Sequence, residues 1–324
     1  MGTHDASIAG SRPSARSKLM QQQLTCLTAT GPSPSPKTSV VRRSVSVRQR
    51  SLSTSIRQHS LSASIRQRSV LTGFAAAILL GAATALPLRA MADDKLTITG
   101  NAAVVSDYRY RGISQTRFGP ALQVGADLVH GSGAYAGAWA TNIKWIKDFG
   151  VDGGIELDLY GGYKTEIAKD ISVDVGALRY QYGGNKLGSV KGYTDANTTE
   201  LYAALSYGVA TLKLSRAMTD LFGNLGPKGQ SSKGSTYIDL SATLDVGAGI
   251  SFTPHLGRQN VENVPDASYT DYSFTLNKEY SGVVFGLSLV GTDASESFYV
   301  PGPAAKSSQF LGKTGLVISA KYNF

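Results

Sequence analysis

One cysteine, Cys26, is all that 324 residues provide, which excludes a disulfide framework and a cysteine-based zinc site within the chain. Histidine is nearly as scarce, at four. Only His130 and His255 lie beyond residue 92, and the sequence holds no G-x-S-x-G elbow and no His/Asp/Glu cluster at metal-ligand spacing. No glycine loop opens onto a helix. Neither an enzyme nor a bound cofactor or metal is expected. From Lys95 onward no apolar run reaches the roughly 20 residues that a membrane-spanning helix needs. Charge is sparse as well, at 17% of residues, and unevenly spread. Residues 1–92 carry 12 of the 32 Lys/Arg and one of the 23 Asp/Glu, leaving 20 and 22 for the rest. The formal charge of +9 therefore belongs to the leader, and a nucleic-acid partner is not expected.

The leader has two parts. Residues 1–65 are rich in Ser, Arg and Gln, and include the near-repeat LSTSIRQHS-LSASIRQRS from Leu52. Such a segment has too little apolar surface to fold, and an upstream start codon accounts for it most simply. Residues 66–92 read as a secretory signal peptide. Arg66 and Arg68 precede an apolar stretch from Val70 to Leu86, and Ala90 and Ala92, on either side of Met91, supply the two small residues for cleavage after Ala92. Export through this signal places residues 93–324 at the bacterial outer membrane.

That body shows alternation rather than helical period. In the stretch from Ile155 to Lys164 the odd positions are Ile, Leu, Leu, Gly and Tyr, and the even ones Glu, Asp, Tyr, Gly and Lys. Similar alternation runs through twelve segments, at about 96–111, 120–129, 134–145, 154–164, 170–182, 199–208, 210–219, 235–245, 249–258, 269–279, 282–290 and 313–324. The fifth changes phase after Ala177, which predicts a bulge. The ninth contains Pro254, awkward in a fully paired strand. Short connections follow the even segments and mostly longer ones the odd segments, the rhythm of an outer-membrane barrel. The polar stripe carries few charges and suits a wet lumen. The opposite stripe is Leu, Ile, Val, Ala and Phe, with Tyr and Trp expected as an aromatic girdle near strand ends. The fold class predicted is all-β: a closed antiparallel transmembrane β-barrel of about twelve strands. The chain ends on Phe324, in phase with Leu316, Ile318, Ala320 and Tyr322, so outer-membrane lipids and the barrel-assembly machinery are expected partners.

The block VVSDYRYRGISQTRFGPALQVGADL from Val104 to Leu128, with GAYAGAWATNI from Gly133, resembles the TorF-type porin family of Gram-negative bacteria. Ser106, Tyr108, Arg111, Gly112, Ile113, Ser114, Gln115 and Thr116 carry the resemblance, followed by Pro120, Gln123 and Gly125. It covers essentially the whole body and implies an outer-membrane channel. The family brings no established substrate.

Parity along the first segment predicts Ile98, Ala102, Val104, Tyr108 and Tyr110 on the lipid face, with Asn101, Asp107, Arg109 and Arg111 inward. Gln123, Asp127, Glu156, Asp158, Lys164 and Asp174 join the expected pore lining. Two readings of these residues stand open. Arg109 and Arg111 face carboxylates across the lumen and set a transverse field, or the same charges form a salt-bridged plug in a narrow barrel. Passive diffusion of small hydrophilic solutes or ions is the leading functional expectation, with oligomerisation open. The alternative is a closed structural or adhesive barrel whose loops 183–198, 219–234 and 291–312 meet an external partner.

Overall fold

A computed structural model describes residues 95–324. The extension 1–65, the signal segment 66–92 and the cut after Ala92 lie outside the described residues. The strands in chain order are β1 (Leu96–Val105), β2 (Arg109–Tyr110), β3 (Ile113–Ser114), β4 (Ala121–His130), β5 (Ala134–Asn142), β6 (Ile155–Ala168), β7 (Ile171–Tyr182) and β8 (Thr198–Tyr207). They continue as β9 (Ala210–Ala217), β10 (Thr236–Ala242), β11 (Leu244–Gly247), β12 (Ile250–Asn260), β13 (Tyr269–Tyr280), β14 (Val283–Thr292) and β15 (Gly315–Asn323).

All except β2 and β3 join one antiparallel sheet, which runs from β10 through β9–β4, β1 and β15 back to β12 and β11. Pairing of β10 with β12 closes it, leaving no free edge to satisfy inside a membrane. Both β10 and β11 pair with β12 in one register, so they are halves of a single stave broken at Thr243. The barrel therefore has twelve staves, as the alternation predicts. That register sets Ala242 against Pro254, which has no N–H to give to a ladder. Pro254 leaves its own strand continuous and coincides with the break in the neighbour.

Short turns at 131–133, 169–170, 208–209, 248–249 and 281–282 mark one end. Long connections at 106–120, 143–154, 183–197, 218–235, 261–268 and 293–314 mark the other. The apolar stripe faces outward. At mid-height on β14, Leu287 is 45% exposed and Ser288 only 2%. Leu287 lies between Leu276 of β13 and Ile318 of β15, themselves 43% and 46% exposed. A water-soluble barrel would hide such a row; here it encircles the molecule, as lipid contact requires.

Three expectations need correction. The first stave ends at Val105 rather than continuing to residue 111. Tyr108 and Tyr110 consequently leave the lipid face and pack inside, Tyr108 fully buried. No bulge follows Ala177, which pairs in register with Gly161 and Leu201. The phase change has another cause: above the lipid belt Tyr180 and Tyr182 still point inward onto aromatic packing, while Arg179 bonds along the outer face to Gln181 and Thr199. Register shifts occur instead beside the short turns, between Glu166 and Ala168 and between Asp245 and Gly247. Exposed aromatics cluster at the short-turn end, with Tyr207, Tyr280, Tyr322 and Phe324, while Tyr272, bonded to Thr314, stands on the outward parity near the long connections. Both tryptophans, Trp139 and Trp145, are packed inside with the hydrophobic core at the opposite end.

Candidate functional site

The first long connection turns back into the barrel. Its tip is the two-residue turn of Arg111 and Gly112, with φ +45° and +80°, joining β2 to β3. Two successive positive-φ residues make the mirror-image turn that matches the twist of a tight hairpin, and glycine takes the second position without strain. Arg111 takes the first at a steric cost. Behind the tip, Asp107 binds Arg109 and accepts from Ser114 Oγ at 2.5 Å and Thr116 Oγ1 at 3.2 Å. Arg109 also donates to the carbonyls of Gly112, Leu311 and Lys313 at 2.8, 3.4 and 3.1 Å. Its guanidinium is used up within the hairpin and the neighbouring loop.

Arg111 does something different. Its Nη2 donates to Glu200 on β8 at 2.7 Å and its Nη1 to Gln259 Oε1 on β12 at 2.5 Å. The guanidinium carbon lies 4.0 Å from the ring centre of Tyr237 on β10. The hairpin springs from between β1 and β4, and the stave order puts β8, β10 and β12 on the far wall. It therefore crosses the lumen and is clasped at its tip. Halfway along, Tyr108 donates to Glu156 of β6 at 2.5 Å and packs edge-on against Trp139. Around it, Tyr110, Tyr180, Tyr182, Trp145 and Phe222 form a chain of edge-to-face contacts that fills this side of the long-loop end.

All nine residues expected to line the interior lie within the barrel, but in different settings. Asp107 and Arg109 are tied to each other inside the hairpin. Arg111 alone reaches the opposite wall. Glu156 is covered by Tyr108. Nearer the short turns, Asp127 accepts from Tyr160 at 2.5 Å and Asp174 from Tyr135 at 2.6 Å. Gln123 Nε2 and Asp158 Oδ1 are buried without a hydrogen-bond partner. Lys164 stands opposite Asp174 across the β6–β7 pair. Sequence reasoning missed Glu200, Gln259, Tyr237 and Lys213, whose Nζ lies 4.0 Å over the Tyr202 ring. It also missed the setting of His255, with Nε2 2.6 Å from Asp239 and Nδ1 3.6 Å from Asp271. These side chains share the inward parity of their strands, but which of them meet depends on stave order.

The inward wall away from the rims holds Asp127, Glu156, Asp158, Asp174, Glu200, Asp239 and Asp271, against Lys164, Lys213 and Lys321 with His255. The inward stripe is thus more charged than expected, because stave after stave adds one or two acids to it; acid predominates, and Arg111 offsets only one charge of the excess.

The family described as "Bacterial protein of unknown function (Gcw_chp)" matches residues 89–324. The chain belongs to that family. Among curated proteins there is no sequence match. The Gcw_chp barrel is similar to the solved NanC porin at 9% identity and a TM-score of 0.43, over 69% of this chain and 98% of that one. It is similar to the KdgM porin at 6% and 0.41, over 70% and 99%. An outer membrane channel from Pseudomonas putida F1 gives 13% and 0.39, over 74% and 98%.

One loop of this Gcw_chp chain should respond to pH. Asp148, in the connection 143–154, is buried beside Arg117, with 3.0 Å between Arg117 Nε and Oδ1. Burial pushes its carboxyl up to about 6, with Arg117 and Lys144 pulling the other way. A raised acid favours the folded loop when protonated, so this stabilisation is complete below about pH 4 and fades as pH rises through about 6. With Trp139→Phe leaving Trp145 as the reporter, its emission should shift with a midpoint near 6. Asp148→Asn should flatten the curve, and an unaltered curve would refute the assignment.

Proposed function

We propose that the barrel is a passive diffusion channel for small hydrophilic solutes or ions in the bacterial outer membrane, with cations favoured. One observation carries this reading: a closed twelve-stave sheet with an apolar exterior encloses a charged, hydrogen-bonding interior instead of a greasy core. The short turns then face the periplasm and the long connections the outside. Phe324 is outward and 71% exposed, and its backbone pairs with Gly100, which leaves its ring available to the barrel-assembly machinery.

Planar bilayers containing the protein extracted from membranes provide the test. Discrete current steps are expected, with a reversal potential on the cation side under a KCl gradient. An anion-side potential would overturn the selectivity, and a folded barrel that carries no current either intact or with residues 107–118 removed would overturn the channel. That last result would favour a closed barrel with binding loops. This second reading has its own support in the small apolar cores that the loops build among themselves, one around Leu221, Val261 and Val264, another around Ile113, Tyr269 and Leu311.

A further inference from the structure

The hydrogen bonds and the nearer aromatic face that hold Arg111 come from the wall; the hairpin adds only the ring of Tyr110, 4.8 Å from the guanidinium carbon. Glu200, Tyr237 and Gln259 sit on three staves whose pairing is complete without residues 106–120. Glu200 and Gln259 are 3% and 2% exposed, so their oxygens are directed at the guanidinium rather than at bulk water. The shape suits a planar cation: a carboxylate and an amide oxygen take one N–H each, and an aromatic face covers the plane. Gly257 is part of the construction. A Cβ there would stand 2.0 Å from the Tyr237 hydroxyl and 2.7 Å from Asp271 Oδ2, so only glycine lets this ring lie along the wall. Tyr237 also donates to Asp271 at 2.9 Å, which fixes the ring beneath its guest.

The guest hangs from a tight turn. Arg111 occupies the left-handed region at φ +45°, the conformation that the two-residue turn between β2 and β3 requires. Arg109 is bound differently, by partners in its own hairpin and in residues 311–313. We infer that Glu200, Gln259 and Tyr237 form a binding site for a small organic cation bearing a guanidinium group, and that Arg111 fills it as a built-in stand-in. A solute of this class entering the lumen competes with Arg111, takes its place and frees the hairpin tip. This rests on the channel reading and deepens it by naming a solute class.

Agmatine is the probe, and binding is measured separately from current. Arg111→Gly empties the clasp while suiting the backbone angle. Calorimetry of the detergent-folded variant should show saturable binding of one agmatine per barrel. Adding Glu200→Gln should weaken it by about tenfold or more, the worth of a charged hydrogen bond. In bilayers agmatine should briefly interrupt the Arg111→Gly current, and the double variant should lose the interruptions. In the unaltered protein, agmatine should speed amide exchange across residues 106–118, whereas sodium chloride at equal concentration should not. This arm stands even if the variants do not fold. Absence of saturable binding in folded Arg111→Gly, equal binding in the double variant, or unchanged exchange in the parent overturns the inference. Binding without any current retains the site and removes the channel; current without binding does the reverse.

Discussion

Leu287→Arg should destabilise the barrel in lipid vesicles by about 2–4 kcal/mol, the cost of an arginine on the lipid face near the bilayer midplane. The position is chosen for its neighbours. Leu276 and Ile318 flank it on the adjoining staves, all three nearly half exposed, so the new guanidinium would meet acyl chains with no polar partner in reach. Ser319→Arg is the control. Ser319 lies on the inward parity of β15, paired with Gly286, and its replacement would add one more cation to an acid-rich, wetted interior. Denaturant titration in vesicles, followed by tryptophan emission, compares the two. A barrel living in water would give the opposite ranking: arginine at an exposed leucine would cost almost nothing, and arginine pointing inward would disrupt the core. Equal, small losses at both positions would remove the membrane assignment, because that assignment depends on which stripe is solvated by lipid.

The staves were legible because each sees two different solvents, and period-two alternation records that directly. The segment from Ile155 to Lys164 shows why the reading survives: its odd side is greasy, its even side holds Glu156, Asp158, Tyr160 and Lys164, and β6 runs through it unbroken. Alternation misleads where the chain leaves the bilayer. Residues 106–111 keep the parity of β1, yet Tyr108 and Tyr110 pack inside because the chain has turned into the lumen, where both faces of the hairpin are enclosed. A local signal for that departure existed. Arg111 and Gly112 form a two-residue loop ending in glycine, flanked by Tyr110 and Ile113, which reads as a tight hairpin once turn chemistry is set above parity. The same limit explains Ala177. The polar and apolar sides of β7 exchange above the lipid belt, where water lies outside and aromatic packing inside, so the pattern inverts while the strand continues straight. The clasp itself was not legible. Glu200, Tyr237 and Gln259 are separated by tens of residues and become neighbours only through the order of β8, β10 and β12 around the closed sheet. Parity assigns a side chain to the interior; it does not say which wall faces which.

Excising the hairpin tests what that interior arrangement does. Replacing residues 107–118 with a short glycine link should raise single-channel conductance several-fold and keep the current cation-selective. Twelve staves enclose a lumen between the filled interior of an eight-strand barrel and the open channel of a sixteen-strand porin, so an inserted segment crossing it controls the free cross-section. The stave pairings do not involve residues 107–118, and the variant should still fold and keep its heat-resistant migration on a denaturing gel. Removal uncovers Glu156 and Glu200, which lose Tyr108 and Arg111. Both would then face water instead of an unpaired burial, so the penalty of an orphaned charge does not arise. It also leaves the acids of the wall unopposed by Arg111, which should move the reversal potential further to the cation side. An unchanged current in a folded variant would show that ions bypass the hairpin, reducing it to an internal brace. Silence in both the parent and the excised protein would mean that the loops above, with Phe222 at their centre, close the barrel by themselves. If a silent parent becomes conducting once the hairpin is gone, residues 107–118 are the gate, and the Arg111 clasp is its lock.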